Sequence, residues 1–288
     1  MLRYPHFLSS SVNILAKVRR FSSAPNAFSY NRKVLIPNFP LKKAPGKTIS
    51  IEVAEYSDVK MIENFCVEAF LQHEPILKYL EIDRDTFVNE ILDGMSRQCL
   101  RFPYSIVAMD GDKMAGYYLG FVEIIDENSV PSPMGVKDFG LLHDHYVNKY
   151  QIKKRNAAVC STVVNYCLGM IGHFVPRDNG RVLMGHGEHA AVAKEYSGNN
   201  ILQTMLISAA REMRADGFVK MLCGITTGNV STANMLELGY SLVWEIPYRD
   251  FKIHGEPVFG DGVLHDGGSK ISLFLADVDA VADRELPK

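Results

Sequence analysis

The chain has 288 residues, a formal net charge of −2 at pH 7 and 47% hydrophobic residues, which is enough apolar material for one large domain or two smaller ones. No apolar run is long enough to cross a membrane, so no membrane span is expected. The part that follows the basic N-terminus is net acidic, which excludes nucleic acid as an expected partner.

The N-terminal segment is basic and contains no acidic residue before Glu52, while Arg, Lys and Ser recur. Three apolar residues would share one face of a helix: Leu8, Val12 and Leu15. This composition is typical of a mitochondrial transit peptide, and residues 19–22 are similar to a matrix-peptidase cleavage site. We therefore predict a disordered transit segment over residues 1–45 and delivery to the mitochondrial matrix. The alternative is a disordered basic tail on a cytoplasmic protein.

Hydrophobic periodicity predicts one α/β domain over residues 46–280 and a C-terminal tail over residues 281–288. Its first half is predicted to contain a strand, two helices and a β-hairpin, at 48–53, 59–70, 84–100, 104–109 and 114–125. A polar segment over 126–155 is expected to be an insertion. Its run from His143 to Tyr146 is expected to be a solvated loop, with a wall of a substrate pocket as the alternative.

The second half of the domain alternates helices and strands. Two central elements are predicted first, a helix over 156–174 and a strand over 182–192. Within that strand, Gly185 and Gly187 suit a bulge or a close backbone approach. A loop, a long amphipathic helix and a short helix near Ser231 complete the pattern, together with further strands at 221–224, 242–246 and 271–275.

Thiols and histidines form no clear metal pattern. The five cysteines contain no CxxC pair, which favours buried thiols in a reducing compartment, and none is next to an obvious base. His186, Glu188 and His189 form a fragment with metal-ligating side chains, but in a regular strand the two histidines would face opposite sides. We therefore expect no metal. Glu188 is expected to be a polar strand residue, with an auxiliary base as the alternative.

The loop after Val192 is the most informative part of the chain. Small and polar residues lead directly into a helix N-terminus, where free N–H groups and the helix dipole favour a phosphate. Together with the Leu-Gly-Tyr run that ends at Tyr240, this order resembles the acetyl-CoA-binding core of the Gcn5-related N-acetyltransferase family. The resemblance implies a central mixed twisted sheet flanked by helices, with a splayed pair of parallel strands that admits the thioester.

The resemblance also implies acetyl-CoA as co-substrate and a set of residues that binds it: Ala191, Val192, Ala193, Ser197, Gly198, Asn199, Asn200 and Ile201. Strand amides near Ala191 and Ala193 would polarise the carbonyl. The loop departs from the family pattern, because Ser197, Asn200 and Leu202 stand where the family has a Gln or Arg, a Gly, and a Gly or Ala. We expect weaker cofactor binding for that reason.

The catalytic residues are implied by a resemblance to the insect arylalkylamine N-acetyltransferases. The segment around Glu74-Pro75 is similar to their Asp-Glu-Pro-Leu segment, so Glu74 would be the base that acts through water. Thr227 and Ser231 stand at the positions of their paired serines, so Ser231, helped by Thr227, would protonate the thiolate. A late histidine, His265, would line the amine pocket.

Each of these residues has a plainer interpretation. Glu74 could be an exposed loop residue, Ser231 a helix N-cap, and His265 a histidine in a loop. The expected activity is direct acetyl transfer to a small primary amine, plausibly an arylalkylamine, by a monomer. The alternatives are an acyl-CoA-binding protein with little or no turnover and a protein-lysine acetyltransferase.

Overall fold

The computed structural model describes residues 32–92, 94–126, 129, 131–176 and 180–287. Its strands, in chain order, are β1 Val34–Pro40, β2 Thr48–Val53, β3 Ile106–Asp110, β4 Lys113–Asp126, β5 Arg181–Val192, β6 Met221–Thr226, β7 Ser241–Pro247, β8 Lys252–Ile253, β9 Glu256–Pro257 and β10 Lys270–Asp277. Eight form one sheet in the order β1-β2-β3-β4-β5-β6-β10-β7, and β8 pairs with β9. In the large sheet β5 and β6 are parallel and the other neighbours are antiparallel. The predicted mixed sheet is confirmed.

Helices cover both faces of this sheet. In chain order they are α1 Val59–Phe65, α2 Leu71–His73, α3 Pro75–Tyr79, α4 Arg84–Thr86, α5 Met95–Cys99, α6 Gly140–Tyr150, α7 Arg155–Gly169, α8 Ile201–Ala215, α9 Asn229–Glu237 and α10 Val278–Ala282. One apolar core lies between the sheet and the helices α1 to α7, and a second lies beneath α8 and α10. No helix of the described ranges is long and apolar enough to pass through a lipid bilayer.

The N-terminal boundary of the domain lies earlier than the sequence predicts. β1 occupies residues that the prediction assigned to the transit segment 1–45, and it pairs antiparallel with β2. Phe39 and Leu41 are buried in the core beneath α8. The folded domain therefore begins by residue 32. Residues 1–31, which hold the predicted cleavage site, lie outside the described residues, so the transit peptide itself stays a prediction.

A buried ion pair fastens the start of the domain. Arg32 Nη2 lies 2.8 Å from Asp58 Oδ1, and its Nη1 lies 3.1 Å from Glu52 Oε2. The side chain of Asp58 is fully buried, so an Arg32→Met variant would leave that carboxylate without its charged partner. We expect a loss of roughly 3 kcal/mol in the free energy of unfolding, measured by urea denaturation.

Lys33→Met is the matched control for this variant. Lys33 pairs with Glu212 across 2.6 Å, but its own side chain is 58% exposed. An exposed pair of this kind contributes about 1 kcal/mol or less. If both variants lost the same free energy of unfolding, the Arg32 ion pair would contribute no more to stability than an exposed pair does.

Three other elements differ from the sequence predictions. The helix predicted over 84–100 consists of α4, a π-helical turn at Phe87–Ile91 and a separate α5. The polar insertion contains α6 and is therefore not only a loop. The C-terminal tail predicted from residue 281 packs on the domain, because the Arg211 guanidinium donates to the carbonyls of Ala282 and Arg284 at 3.0 and 2.9 Å.

The two parallel strands separate in the middle of the sheet. β5 and β6 pair from Met184 to Gly187 on β5, after which β5 continues to Val192 without β6. At the same point the register between β4 and β5 shifts and leaves Glu188 as an extra residue. The space between residues 188–192 of β5 and residues 225–226 of β6 is hereafter the β5–β6 gap. The predicted splayed pair and the bulge beside Gly187 are both confirmed.

The bulge also changes the direction of a histidine. In a regular strand His186 and His189 would face opposite sides, as the sequence analysis states. With Glu188 as the extra residue, His186 lies opposite Phe121 and His189 lies opposite Leu119. Phe121 and Leu119 are two residues apart on β4 and share one face, so both histidines lie on that face as well.

Candidate active site

Main-chain N–H groups face the β5–β6 gap from one side. The N–H of Ala193 donates to the Ala115 carbonyl of β4 at 2.9 Å. Because hydrogen-bonded residues alternate along an antiparallel pair, the N–H of Ala191 faces β4 as well. The N–H groups of Ala190 and Val192 therefore point towards the gap. They can donate there to a carbonyl oxygen, a role that the sequence analysis gave to Ala191 and Ala193.

A cavity of about 230 Å³ opens at the gap and is lined from both sides of the sheet. Three of the four predicted catalytic residues line it, namely Glu74, Thr227 and Ser231. Leu202, at the start of α8, lines it from the opposite side of the sheet. The gap, three predicted residues and the start of α8 therefore meet in one cavity.

Glu74 is held in this cavity by the helix that follows it. It is the N-cap of α3, and its Oε2 accepts a hydrogen bond from the Leu77 N–H at 2.5 Å. Its other oxygen, Oε1, is buried and has no hydrogen-bond partner among the described residues. Burial raises the pKa of this carboxyl, while the nearby Thr227 hydroxyl and the N–H groups of Leu77 and Ile76 oppose that rise. Glu74 is thus not the exposed loop residue of the plainer interpretation.

Thr227 and Ser231 lie at the junction between β6 and α9. The N-cap of α9 is Gly228, so Ser231 is not the N-cap that the plainer interpretation predicts. The Ser231 hydroxyl donates to the Gly228 carbonyl at 3.0 Å and lines the cavity. The Thr227 carbonyl accepts from the buried Tyr248 hydroxyl at 2.7 Å, which fixes this junction against the segment after β7. Both hydroxyls therefore have fixed positions beside the gap.

His189 is an aromatic wall of the same cavity. Its Nδ1 lies 2.7 Å from the Tyr117 hydroxyl, and its ring stacks on Phe70 with centroids 4.8 Å apart. Burial lowers the pKa of His189 to about 3, so the imidazole is neutral at physiological pH. Its buried Nε2 has no partner within the described part of the chain. A hydrogen-bonding group of a ligand would complete this site.

The structure places His265 away from the cavity. Its side chain is exposed in the turn before β10, and it is not part of the cavity wall, so its predicted place in the amine pocket is not supported. The next residue, Asp266, is half-buried and contacts the start of α9. Its Oδ2 accepts from the Asn229 N–H at 2.8 Å, and its charge adds to the raised pKa of Glu74.

No family model and no curated protein matches this chain by sequence. The structure, in contrast, is similar to arylalkylamine N-acetyltransferase 2 from Aedes aegypti, with 18% identity, a TM-score of 0.63, and coverage of 80% of this chain and 99% of the other. It is also similar to a polyamine N-acetyltransferase from Drosophila melanogaster that forms N-acetylagmatine, with 13% identity, a TM-score of 0.57, and coverage of 80% and 99%. The chain has the fold of the Gcn5-related N-acetyltransferases. The fold expected from the sequence is confirmed.

Within this acetyltransferase fold, the loop between β5 and α8 has its own internal supports. Asn199 is 2% exposed, and its Nδ2 donates to the Tyr196 carbonyl at 2.8 Å. Asn200 has φ 60°, which is the left-handed backbone conformation, and the family pattern has a glycine at this position. The Asn200 side chain forms no cap on α8. Within α8, Thr204 is the first residue whose N–H bonds back to the loop, at 3.0 Å to the Asn200 carbonyl. The N–H groups of residues 201–203 remain open to an anion.

A second cavity of about 400 Å³ adjoins the first one. It lies among α5, α6, α7 and strands β4 and β5, and three residues line both cavities: Met95, Asn165 and Glu188. His145 and Tyr146 of α6 belong to its wall, so this part of the polar insertion is not a solvated loop, and its role in a substrate pocket stays a prediction. The two cavities together form a partly enclosed space beside the gap.

Cys223 lies beside a base, contrary to the sequence expectation. The ligand atoms of Cys223, His186 and Glu123 lie within 4.8 Å of one another, and all three side chains are buried. His186 Nδ1 lies 3.2 Å from Glu123 Oε1. Burial raises the pKa of the Cys223 thiol, which keeps it protonated. The arrangement differs from the fragment of His186, Glu188 and His189 that the sequence shows.

Sequence reasoning missed several residues of this site. His189 was set aside because the bulge that turns it inward leaves no signal in the residue pattern. The sequence predicts a role for His265 and not for its neighbour Asp266, because the directions of side chains in a turn depend on tertiary contacts. The N–H groups of Ala190 and Val192 could be identified only from the hydrogen-bond alternation between β4 and β5.

Proposed function

We propose that this protein is an N-acetyltransferase that moves the acetyl group of acetyl-CoA directly to a small primary amine. The observation that carries the proposal is the buried carboxyl of Glu74, with its unpartnered Oε1, in the cavity that opens at the β5–β6 gap. The structural similarity to arylalkylamine and polyamine acetyltransferases supports an amine as the acceptor class.

Glu74 acts as the base in this proposal. An alkylammonium group titrates near pH 10, so it must lose a proton before its nitrogen can attack a carbonyl. The buried carboxyl can accept that proton directly or through one water molecule, because Oε1 has no hydrogen-bond partner within the part of the chain that the structure describes. Burial raises its pKa, which makes the Glu74 carboxylate a stronger base than an exposed glutamate.

The rest of the site handles the carbonyl and the leaving group. The N–H groups of Ala190 and Val192 donate to the thioester oxygen and stabilise negative charge that develops there. Ser231 relays to the departing thiolate the proton that the attacking nitrogen loses as the amide forms, and its hydrogen bond with Gly228 fixes the hydroxyl. The Thr227 hydroxyl lowers the pKa of Glu74 and so offsets part of the rise that burial causes.

The enclosed space favours a small amine over a protein lysine. Both cavities lie under helices, and α6 covers the second one with His145 and Tyr146. A lysine presented on a protein surface needs an open groove, whereas a free arylalkylamine can be enclosed. We therefore place the side chain of the amine in the second cavity and its nitrogen near Glu74.

Direct transfer fits this site better than an acetyl-cysteine route. Cys223 has His186 nearby, but burial raises the pKa of the thiol and favours its unreactive form. Mass spectrometry after incubation with acetyl-CoA alone is expected to show unmodified Cys223. An acetyl adduct on this residue would replace direct transfer with a two-step route.

The proposal is tested with acetyl-CoA and a panel of amines. Isothermal titration measures acetyl-CoA binding to the protein that begins at residue 32, and thiol release is then followed with tyramine, dopamine, tryptamine, agmatine and a histone-like peptide. Amine-dependent release is the expected result. Binding without release would favour the acyl-CoA-binding protein, and release with the peptide alone would favour the lysine acetyltransferase.

Ser231→Ala is expected to lower kcat by about tenfold, because the thiolate would then take its proton from water. The helix should remain intact, since Gly228 is the N-cap of α9. Steady-state thiol release and thermal unfolding are the measurements, with the exposed Ser241→Ala as the matched control. A Ser231→Ala enzyme with unchanged kcat would exclude this residue as the acid.

The basic N-terminal segment supports a second proposal, which is import into the mitochondrial matrix. Microscopy of tagged full-length protein beside protein lacking residues 1–31 tests it. Mitochondrial staining that depends on this segment is the expected result, and identical diffuse staining would reject import.

A further inference from the structure

Lys43 lies directly over the loop between β5 and α8. The side chain approaches Gly198 so closely that a Cβ atom at that glycine would collide with Nζ and Cε of Lys43. Gly198 has φ +76°, a backbone conformation that favours glycine. An ammonium group therefore lies on a loop whose own residues carry Ser197 and Asn200 where the family pattern has a cation and a glycine.

The turn that carries Lys43 is fixed to the loop. The Lys43 N–H donates to Asn199 Oδ1 at 2.8 Å, across 156 positions of sequence. Asn199 in turn donates to the Tyr196 carbonyl, so one buried side chain joins the turn and the loop. The turn is closed by the Leu41 N–H, which donates to the Lys47 carbonyl at 3.0 Å, and Leu41 is itself buried. The position of the Lys43 backbone is therefore set by the fold.

The charge of Lys43 is available to a ligand. It has no ion-pair partner within residues 32–92, 94–126, 129, 131–176 and 180–287, and its side chain is exposed. The acidic residue of the adjoining turn, Glu195, is engaged by Lys113 at 2.8 Å. The open N–H groups of residues 201–203 and the positive end of the α8 dipole lie at the same loop. Two sources of positive potential therefore meet there.

We infer that Lys43 binds the diphosphate of the CoA moiety and supplies the positive charge that the loop itself lacks; this inference rests on the proposed function. The loop N–H groups donate to the phosphate oxygens. The Lys43 ammonium, which comes from the turn after β1, neutralises the charge of those oxygens. The site thus combines a turn after β1 with a loop after β5, and neither part has the family pattern by itself.

The test compares CoA with 3′-dephospho-CoA, which keeps the diphosphate and lacks the ribose phosphate. Dissociation constants are measured by isothermal titration at low and high salt for the protein that begins at residue 32. The variants are Lys43→Ala, Lys43→Arg and, as the matched exposed control, Lys42→Ala. Thermal unfolding of each variant reports whether the turn stays in place.

Lys43→Ala is expected to raise the dissociation constants of both ligands by about tenfold and to reduce their salt dependence. Lys43→Arg should keep affinity close to that of the wild type, because it keeps the charge, and Lys42→Ala should change it by less than about twofold. An effect on CoA alone would assign Lys43 to the ribose phosphate and overturn the inference.

Other outcomes separate this inference from the proposed function. Wild-type binding with no loss in Lys43→Ala would reject the role of Lys43 and leave the proposed function standing. Arginine and alanine variants that are equally weak would show a packing role, which also overturns the inference. Failure of the wild type to bind either ligand would remove the proposed function and the inference together.

Discussion

Glu74→Gln is expected to lower kcat/KM for the amine by roughly 10²–10⁴-fold, because glutamine cannot accept the ammonium proton. The fold should persist, since the amide oxygen of glutamine can still accept the hydrogen bond from the Leu77 N–H that starts α3. The measurement is thiol release with the best amine of the panel, and Glu68→Gln, an exposed residue of the preceding helix, is the matched control.

The pH dependence gives Glu74 a signature that a structural role would not produce. Burial raises its pKa above the usual value of 4.5, so kcat/KM of the wild type should fall with decreasing pH below that raised pKa. The acid limb should be absent in the residual activity of Glu74→Gln. An acid limb that is identical in both enzymes would assign it to another group and exclude Glu74 as the base.

The substitution Glu74→Gln should raise the stability of the fold although it lowers the activity. A carboxyl with a raised pKa in the folded state stabilises the fold below its unfolded pKa, and this stabilisation is lost as pH rises through the folded pKa. Glu74→Gln removes the cost of the buried charge at high pH. We therefore expect its Tm to exceed that of the wild type by a margin that grows as pH rises from the usual carboxyl pKa of 4.5 through the raised pKa of the folded state.

Removal of residues 1–45 is expected to abolish folding and cofactor binding, whereas removal of residues 1–31 is expected to change neither. The longer deletion takes away β1, whose Phe39 is 3% exposed, and exposes the edge of β2. It also deletes Arg32, which pairs with the buried carboxylate of Asp58, and Lys43, which lies over the loop before α8. Circular dichroism, thermal unfolding and titration with CoA compare the two proteins.

This comparison also bears on processing of the N-terminal segment. Cleavage near residues 19–22 would leave β1 and Lys43 in the mature chain, whereas cleavage near residue 45 would destroy the edge of the sheet. N-terminal sequencing of protein recovered from mitochondria is therefore expected to show a start at or before residue 32. A stable, CoA-binding protein that begins at residue 46 would show that β1 is dispensable.

Local patterns in the sequence were sufficient for most of the fold. Three features depend only on residues close together in the chain and could be predicted directly. They are the alternation in β2, the apolar periodicity of α7 and the small residues of the loop before α8. Glu74 was identified differently, from the resemblance of the Glu74-Pro75 segment to the insect arylalkylamine N-acetyltransferases. The order of these elements, together with the family resemblance, then predicted the sheet and its splayed pair.

Tertiary contacts decided the features that no local period encodes. β1 contains two prolines and little alternation, and it is a strand because β2 offers it an edge. His189 faces the cavity because one extra residue at Glu188 reverses the alternation of β5. Lys43 reaches the cofactor loop because a hydrogen bond joins positions 156 residues apart. The local sequence determined most of the elements. Packing determined the strand β1 and which side chains share the site, since direction and distance depend on partners remote in sequence.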